Sequence, residues 1–115
     1  MNVYRKHGRN VTTHWDLAKW LVAHEEFSNQ DKTFRGVLAL APDDMGTGRL
    51  PGDWARTYTA RRNAGTIFYV VYSYRTPIAW YDDEINEWII PDEHYSSTTS
   101  RHQSSIRMAV SELEK

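Results

Sequence analysis

Thr66 to Tyr74 reads TIFYVVYSY, nine residues of which nearly all are β-branched or aromatic. Residues of that kind fall on both alternating sets, so neither face of a strand built from them is polar. That pattern predicts a central strand buried on both sides. Its surroundings are read outward from there. Arg62-Asn-Ala-Gly65 supplies turn chemistry, because glycine takes the positive φ of a tight hairpin. Ahead of it, Trp54 to Arg61 (WARTYTAR) alternates and is read as a preceding strand. Behind it, Thr76 to Tyr81 (TPIAWY) either continues the strand after a bend or returns as a neighbour. Pro77 favours a strand start or a bulge there. Asp82 to Asn86 is a polar turn, Glu87 to Ile90 a further strand ended by Pro91, and Phe34 to Leu40 a short extended segment.

Helices are expected at both ends. Thr13 is an N-cap candidate with Asp16 in the first turn, and Leu17, Trp20, Leu21, His24 and Phe27 follow at helical spacing, predicting a helix from Thr13 to Phe27. Ile106, Ala109, Val110 and Leu113 form the apolar stripe of a second helix, with Ser100 as cap and Gln103 at capping-box spacing. Helix, strands and helix in that order predict an α+β domain. Its antiparallel sheet would have three to five strands, with the N-terminal and C-terminal helices packed on one face. All 115 residues form one domain, with 1–11 as a flexible basic arm and 41–53 as a long loop. Three glycines and two prolines in those thirteen loop residues break regular structure.

The charge is nearly balanced, 14 Lys+Arg against 15 Asp+Glu, which argues against a wholly basic nucleic-acid-binding surface. Cysteine is absent, excluding disulfides, thiolate nucleophiles and Cys-ligated zinc. The basic start is followed by no apolar run, and no stretch is long enough to cross a bilayer, so a cytoplasmic chain without membrane contact is expected. With 5 Trp and 7 Tyr the chain is rich in aromatics, which suits a small core or a contact surface.

Two segments, Tyr72-Ser-Tyr-Arg-Thr-Pro-Ile-Ala79 and Tyr95-Ser-Ser-Thr-Thr-Ser-Arg-His-Gln103, carry a resemblance. In order and spacing they resemble a family of small tailed-bacteriophage proteins of unknown function. The resemblance covers residues 66–110, leaves 1–65 outside, and gives no catalytic residue to carry over. It implies a phage accessory protein acting inside a bacterial host cell.

Three groups of residues can carry chemistry. Thr98, Thr99, Ser100, Arg101 and His102 lie where a loop becomes a helix, and hydroxyls, a guanidinium and free amides there suit a phosphate or carboxylate. The plainer reading makes Ser100 the cap and His102 part of the Ile106 stripe. Trp54, Arg56, Tyr58, Arg61 and Arg62 interleave aromatics with arginines and could stack bases and pair phosphates. In the plainer reading their aromatics face the core and their arginines protect a sheet edge. Trp15 and Trp20 point about 140° apart on a helix, so Trp15 is a candidate partner contact.

His14, His24 and Glu25 lack metal-ligand spacing, and no metal or cofactor site is read. The acidic pairs sit in turns, the glycine loop lacks a phosphate-loop pattern, and no catalytic set emerges. The leading expectation is a non-enzymatic phage protein that binds a host protein or other macromolecule through exposed aromatics and the 41–53 loop. Nucleic-acid binding and a nucleotide or phosphate site at 98–102 stand beside it, and an open strand edge would allow a homodimer.

Overall fold

The computed structural model describes residues 4–6, 9–11, 14–29, 32–39 and 46–113. Among these residues seven strands and three helices run in the order β1 (Tyr4–Lys6), β2 (Arg9–Val11), α1 (His14–Ala23), β3 (Phe27–Asn29), β4 (Phe34–Leu38), α2 (Gly52–Asn63), β5 (Ile67–Ser73), β6 (Thr76–Asp82), β7 (Glu87–Ile89), α3 (Ser97–Leu113). All strands belong to one antiparallel sheet of order β2-β1-β3-β4-β5-β6-β7. The five strands from β3 to β7 match the expected antiparallel α+β sheet. Two more come from the segment expected as a loose arm, where β1 pairs with β2 and β3.

β5 is central, between β4 and β6, and it is buried on both faces as its composition requires. Tyr69 and Val71 face one core with Leu17, Trp20 and Leu21 of α1 and Ile106, Ala109 and Val110 of α3. Val70 and Tyr72 face the other core with Leu50, Tyr58 and Trp80. Alternation along one strand thus serves two cores, and α1 and α3 share a face as expected. Two bulges adjust the register between β5 and β6, one at Phe68 and one at Ile78. The first turns Phe68 outward, 38 % exposed in an otherwise buried strand. The second follows Pro77, so the proline sits at a strand start beside a bulge.

The stretch expected as a strand over Trp54 to Arg61 is helical, and α2 covers the second face of the sheet. Local signals explain why. Pro51 precedes the first turn, Asp53 lies in it, and Arg61 and Arg62 occupy the last turn, where cations favour the dipole. Gly65, with φ +79°, ends the helix instead of turning a hairpin. Its amide donates to the Arg62 carbonyl at 3.1 Å, and Thr66 donates to that of Arg61 at 3.1 Å, a Schellman stop. The positive φ read from the sequence is real, but it serves a helix end.

Two other boundaries move. The first helix ends at Ala23, four residues before the expected limit at Phe27, which lies in β3. His24 takes φ +51° in the position that glycine commonly fills, and Glu25 N–H donates back to the Trp20 carbonyl at 2.9 Å. Of the expected loop, 41–45 lie outside the described residues, as does the proposed cap Thr13, and Gly52 and Asp53 belong to α2. The part between is tied to the β5–β6 turn, where Arg49 N–H donates to Thr76 Oγ1 at 2.9 Å. Gly48, at φ +54°, lies flat on that turn, and an added Cβ would fall 2.6 Å from the Arg75 carbonyl oxygen.

Candidate functional site

The hydroxyl-rich segment starts its helix one turn earlier than expected. Ser96, not Ser100, is the cap: its Oγ accepts the Thr99 amide at 3.1 Å, and its hydroxyl bonds Thr99 Oγ1 at 3.1 Å. Gln103 closes no capping box. It is buried and donates to the carbonyls of Glu93 at 3.0 Å and Pro91 at 3.5 Å, fixing the connector that enters α3.

Thr99 and His102, three residues apart, share the inner face of α3 and meet Ser73 on β5. Ser73 Oγ lies 3.0 Å from Thr99 Oγ1 and 2.7 Å from His102 Nδ1, and all three residues are buried. The His102 ring stacks on Phe34 of β4, 4.4 Å between centroids and 6° from parallel. The two sequence segments that carry the resemblance are therefore bonded to each other. Ser100 turns elsewhere, its Oγ 3.2 Å from His94 Nδ1, and Arg101 is exposed. Of the five candidate residues at 98–102, Thr99 and His102 converge inside the fold, while Ser100 and Arg101 point away from them.

The second candidate set lies on α2. Tyr58 is buried against Trp80, 4.9 Å between rings, with its hydroxyl 3.3 Å from that of Tyr72. Trp54 is half-buried with its ring 6.0 Å from Trp80. Arg62 Nη1 donates to Tyr58 Oη at 2.9 Å, and Arg56 is paired with Asp53. Arg61 reaches Asp82 Oδ2 at 2.7 Å and Glu84 Oε1 at 3.0 Å. Asp82 closes β6 and is buried. Burial alone would raise its carboxyl, but the Arg61 guanidinium, the Glu84 amide and the Thr66 hydroxyl outweigh that and hold it below the usual carboxylate range. A shallow depression of about 380 Å³ runs along Ala55, Arg56, Thr59, Ala60 and Asn63 on the same helix. The side chain of Trp15 lies outside the described residues, and so does 41–45 of the loop.

A third cluster had no counterpart in the sequence reading. The imidazole of His24 sits among four rings: Tyr81 at 4.7 Å, Phe68 at 5.1 Å, Tyr69 at 5.6 Å and Trp88 at 6.3 Å. Burial lowers its basicity, and the nearby Asp83 carboxylate partly restores it. Burial also raises the Tyr69 phenol strongly, with Glu26 and Glu25 adding to the effect. Tyr69 donates its hydroxyl to the Glu25 carbonyl, fixing the chain just past α1. Phe68 opens this cluster to water, and the turn between β6 and β7 carries Ile85, 47 % exposed. The bulge at Phe68 and the left-handed backbone of His24 create the cluster, and neither shows in the hydrophobic pattern. Among the described residues no three His, Cys, Asp or Glu side chains group as a metal site, and no helix is long and apolar enough to cross a membrane.

Fold and network together define an α+β domain whose open antiparallel sheet is covered by two helices on one face and one on the other. The chain belongs to a family of unknown function (DUF8033), whose model matches residues 25–112. That match takes in the Gly/Pro loop and α2, which lie outside the segment of the sequence resemblance. No curated protein and no solved structure matches the chain.

Proposed function

We propose that this is a non-enzymatic binding protein that holds a macromolecular partner through the aromatic end of its sheet. One division of its side chains carries the reading. Ser73, Thr99, His102, Arg61 and Asp82 bond other side chains of the chain itself, whereas Phe68 stands exposed beside the His24 ring and Ile85 stands exposed in the β6–β7 turn. Exposed apolar groups next to aromatic rings are what protein interfaces use as anchors. The pairing of Arg56 and Arg61 with carboxylates offsets the charge that a phosphate backbone would need, which favours a protein partner over a nucleic acid. The resemblance to tailed-phage proteins supports an accessory role in which that partner belongs to the bacterial host and is met in its cytoplasm.

A photo-crosslinking residue placed at Phe68, compared with one on the outer face of α2 at Thr59, tests this in bacterial lysate. A discrete adduct from position 68, competed by untagged wild type and lost with Ile85→Ser, is expected. Equal adducts from both positions, or none from 68, would overturn it.

A further inference from the structure

We infer that β7 accepts an extended segment of a partner protein as an eighth strand, a segment with an apolar middle and lysine or arginine at both ends. The inference rests on the reading of the protein as a protein-binding module, and it names the partner's chemistry. β7 is the last strand of the sheet: β6 lies on one side, and among the described residues no strand lies on the other. An edge of this kind presents unpaired amides and carbonyls, and proteins commonly guard such edges with lysine or proline. Here the guard is different.

Trp88 pairs across the ladder with Tyr81 and lies at the ring cluster around His24, while Ile89 pairs with Trp80 and packs on the opposite core. Both are half-buried, so the edge offers apolar surface on each face to the side chains of an added strand. The strand lies inside DDEINEWIIPDE, residues 82–93, which holds six carboxylates and no lysine or arginine. Arg61 answers Asp82 and Glu84, and Arg107 answers Asp92 at 3.4 Å. Asp83 and Glu87 stand exposed at one end of the strand, and Glu93 follows its other end. An apolar centre between acidic ends, on a chain of net charge −1, selects the complementary pattern. The same charges oppose a symmetric β7-to-β7 dimer, because antiparallel pairing of two copies would set acidic ends against acidic ends.

The test uses the full chain and three fluorescein-labelled peptides: KKVTVKK, its charge-reversed partner EEVTVEE, and KKVPVKK, whose proline cannot pair as a central strand residue. Expected is binding of the first only, at least about tenfold tighter than of the other two and weakening as salt rises. Hydrogen-exchange protection should be confined to residues 83–93. The double variant Asp83→Lys, Glu87→Lys, folded by circular dichroism, should reverse the preference between KKVTVKK and EEVTVEE. Equal binding of all three peptides, protection elsewhere, or an unchanged preference in the variant would overturn the inference. So would salt-sensitive self-association displaced by KKVTVKK, which would make a second copy, through its own edge strand β2, the occupant. If the crosslink at position 68 forms but the charge-reversed variant captures the same partner equally well, the binding reading stands and the strand inference falls.

Discussion

Ser73 and His102 stand 29 positions apart in the chain, and Oγ of one lies 2.7 Å from Nδ1 of the other. Ser73 is 1 % exposed and His102 2 %, so the contact is made away from bulk water, where a lost partner is costly. It joins the last residue of the central strand to the second turn of α3. Of the residues that look most like a ligand site in the sequence, Thr99 and His102 therefore join sheet to helix.

Gly48 and Gly65 both have positive φ, yet only Gly48 faces a wall of neighbouring atoms, while a Cβ on Gly65 meets open space. Gly65→Ala is expected to cost about 1 kcal/mol for its backbone conformation alone. Gly48→Ala should cost roughly 2–3 kcal/mol, since the Arg75 carbonyl and Thr76 must also move. Chemical denaturation of the two variants checks the order.

Tyr58 is the buried residue of α2 and fills the core beneath Trp80. Tyr58→Ala should cost about 3–5 kcal/mol, as large aromatic truncations in cores do. Because Tyr58 is the buried residue of α2, hydrogen exchange should quicken in residues 52–63 more than in α1 or α3.

Acid should loosen the Arg61–Asp82 pair. Asp82 titrates below its ordinary range, so its contribution is complete above the unfolded carboxylate value of about 3.9 and disappears as pH falls through the lower folded value. Asp82→Asn is expected to lower Tm at pH 7 and to flatten the decline of Tm below pH 4. A parallel decline in both proteins would refute the assignment.

His24 runs in the same direction for a different reason. Burial lowers its folded basicity, so the unfolded chain takes up the proton more readily. Its contribution is full above about pH 6.5 and falls as pH drops toward the folded value. An NMR titration should find its midpoint below the ordinary histidine value of about 6.5, and His24→Gln should reduce the slope of stability between pH 6.5 and 5.

The sequence reading reached the parts of the fold whose residues answer to one local rule. TIFYVVYSY reads as a two-sided strand, and the stripes Leu17 to Phe27 and Ile106 to Leu113 read as helix faces, the first of them running past the helix end at Ala23 into β3. It failed at α2, because a helix anchored by Trp54 and Tyr58 with polar residues between them spells the same alternation as a half-buried strand. Pro51, Asp53, Arg61, Arg62 and Gly65 held the contrary signal at the ends. The choice of Ser96 over Ser100 as cap was open to local rules, since several hydroxyls there could cap. Tertiary contact decides it: only that start turns Thr99 and His102 toward Ser73. The ring cluster around His24 depends on a bulge and a left-handed residue, which no periodicity announces.

Thermal unfolding of wild type, Ser73→Ala and Arg101→Ala, each with and without inorganic phosphate, bears most directly on whether the YSSTTSRHQ segment serves the fold. Ser73→Ala should lose about 1–3 kcal/mol, a fall in Tm on the order of 4 °C per kcal/mol. Arg101→Ala should melt within about 1 °C of wild type, as substitutions of exposed residues usually do, and phosphate should move none of the three. A phosphate-dependent rise in wild-type Tm that Arg101→Ala abolishes, with Ser73→Ala melting like wild type, would contradict it.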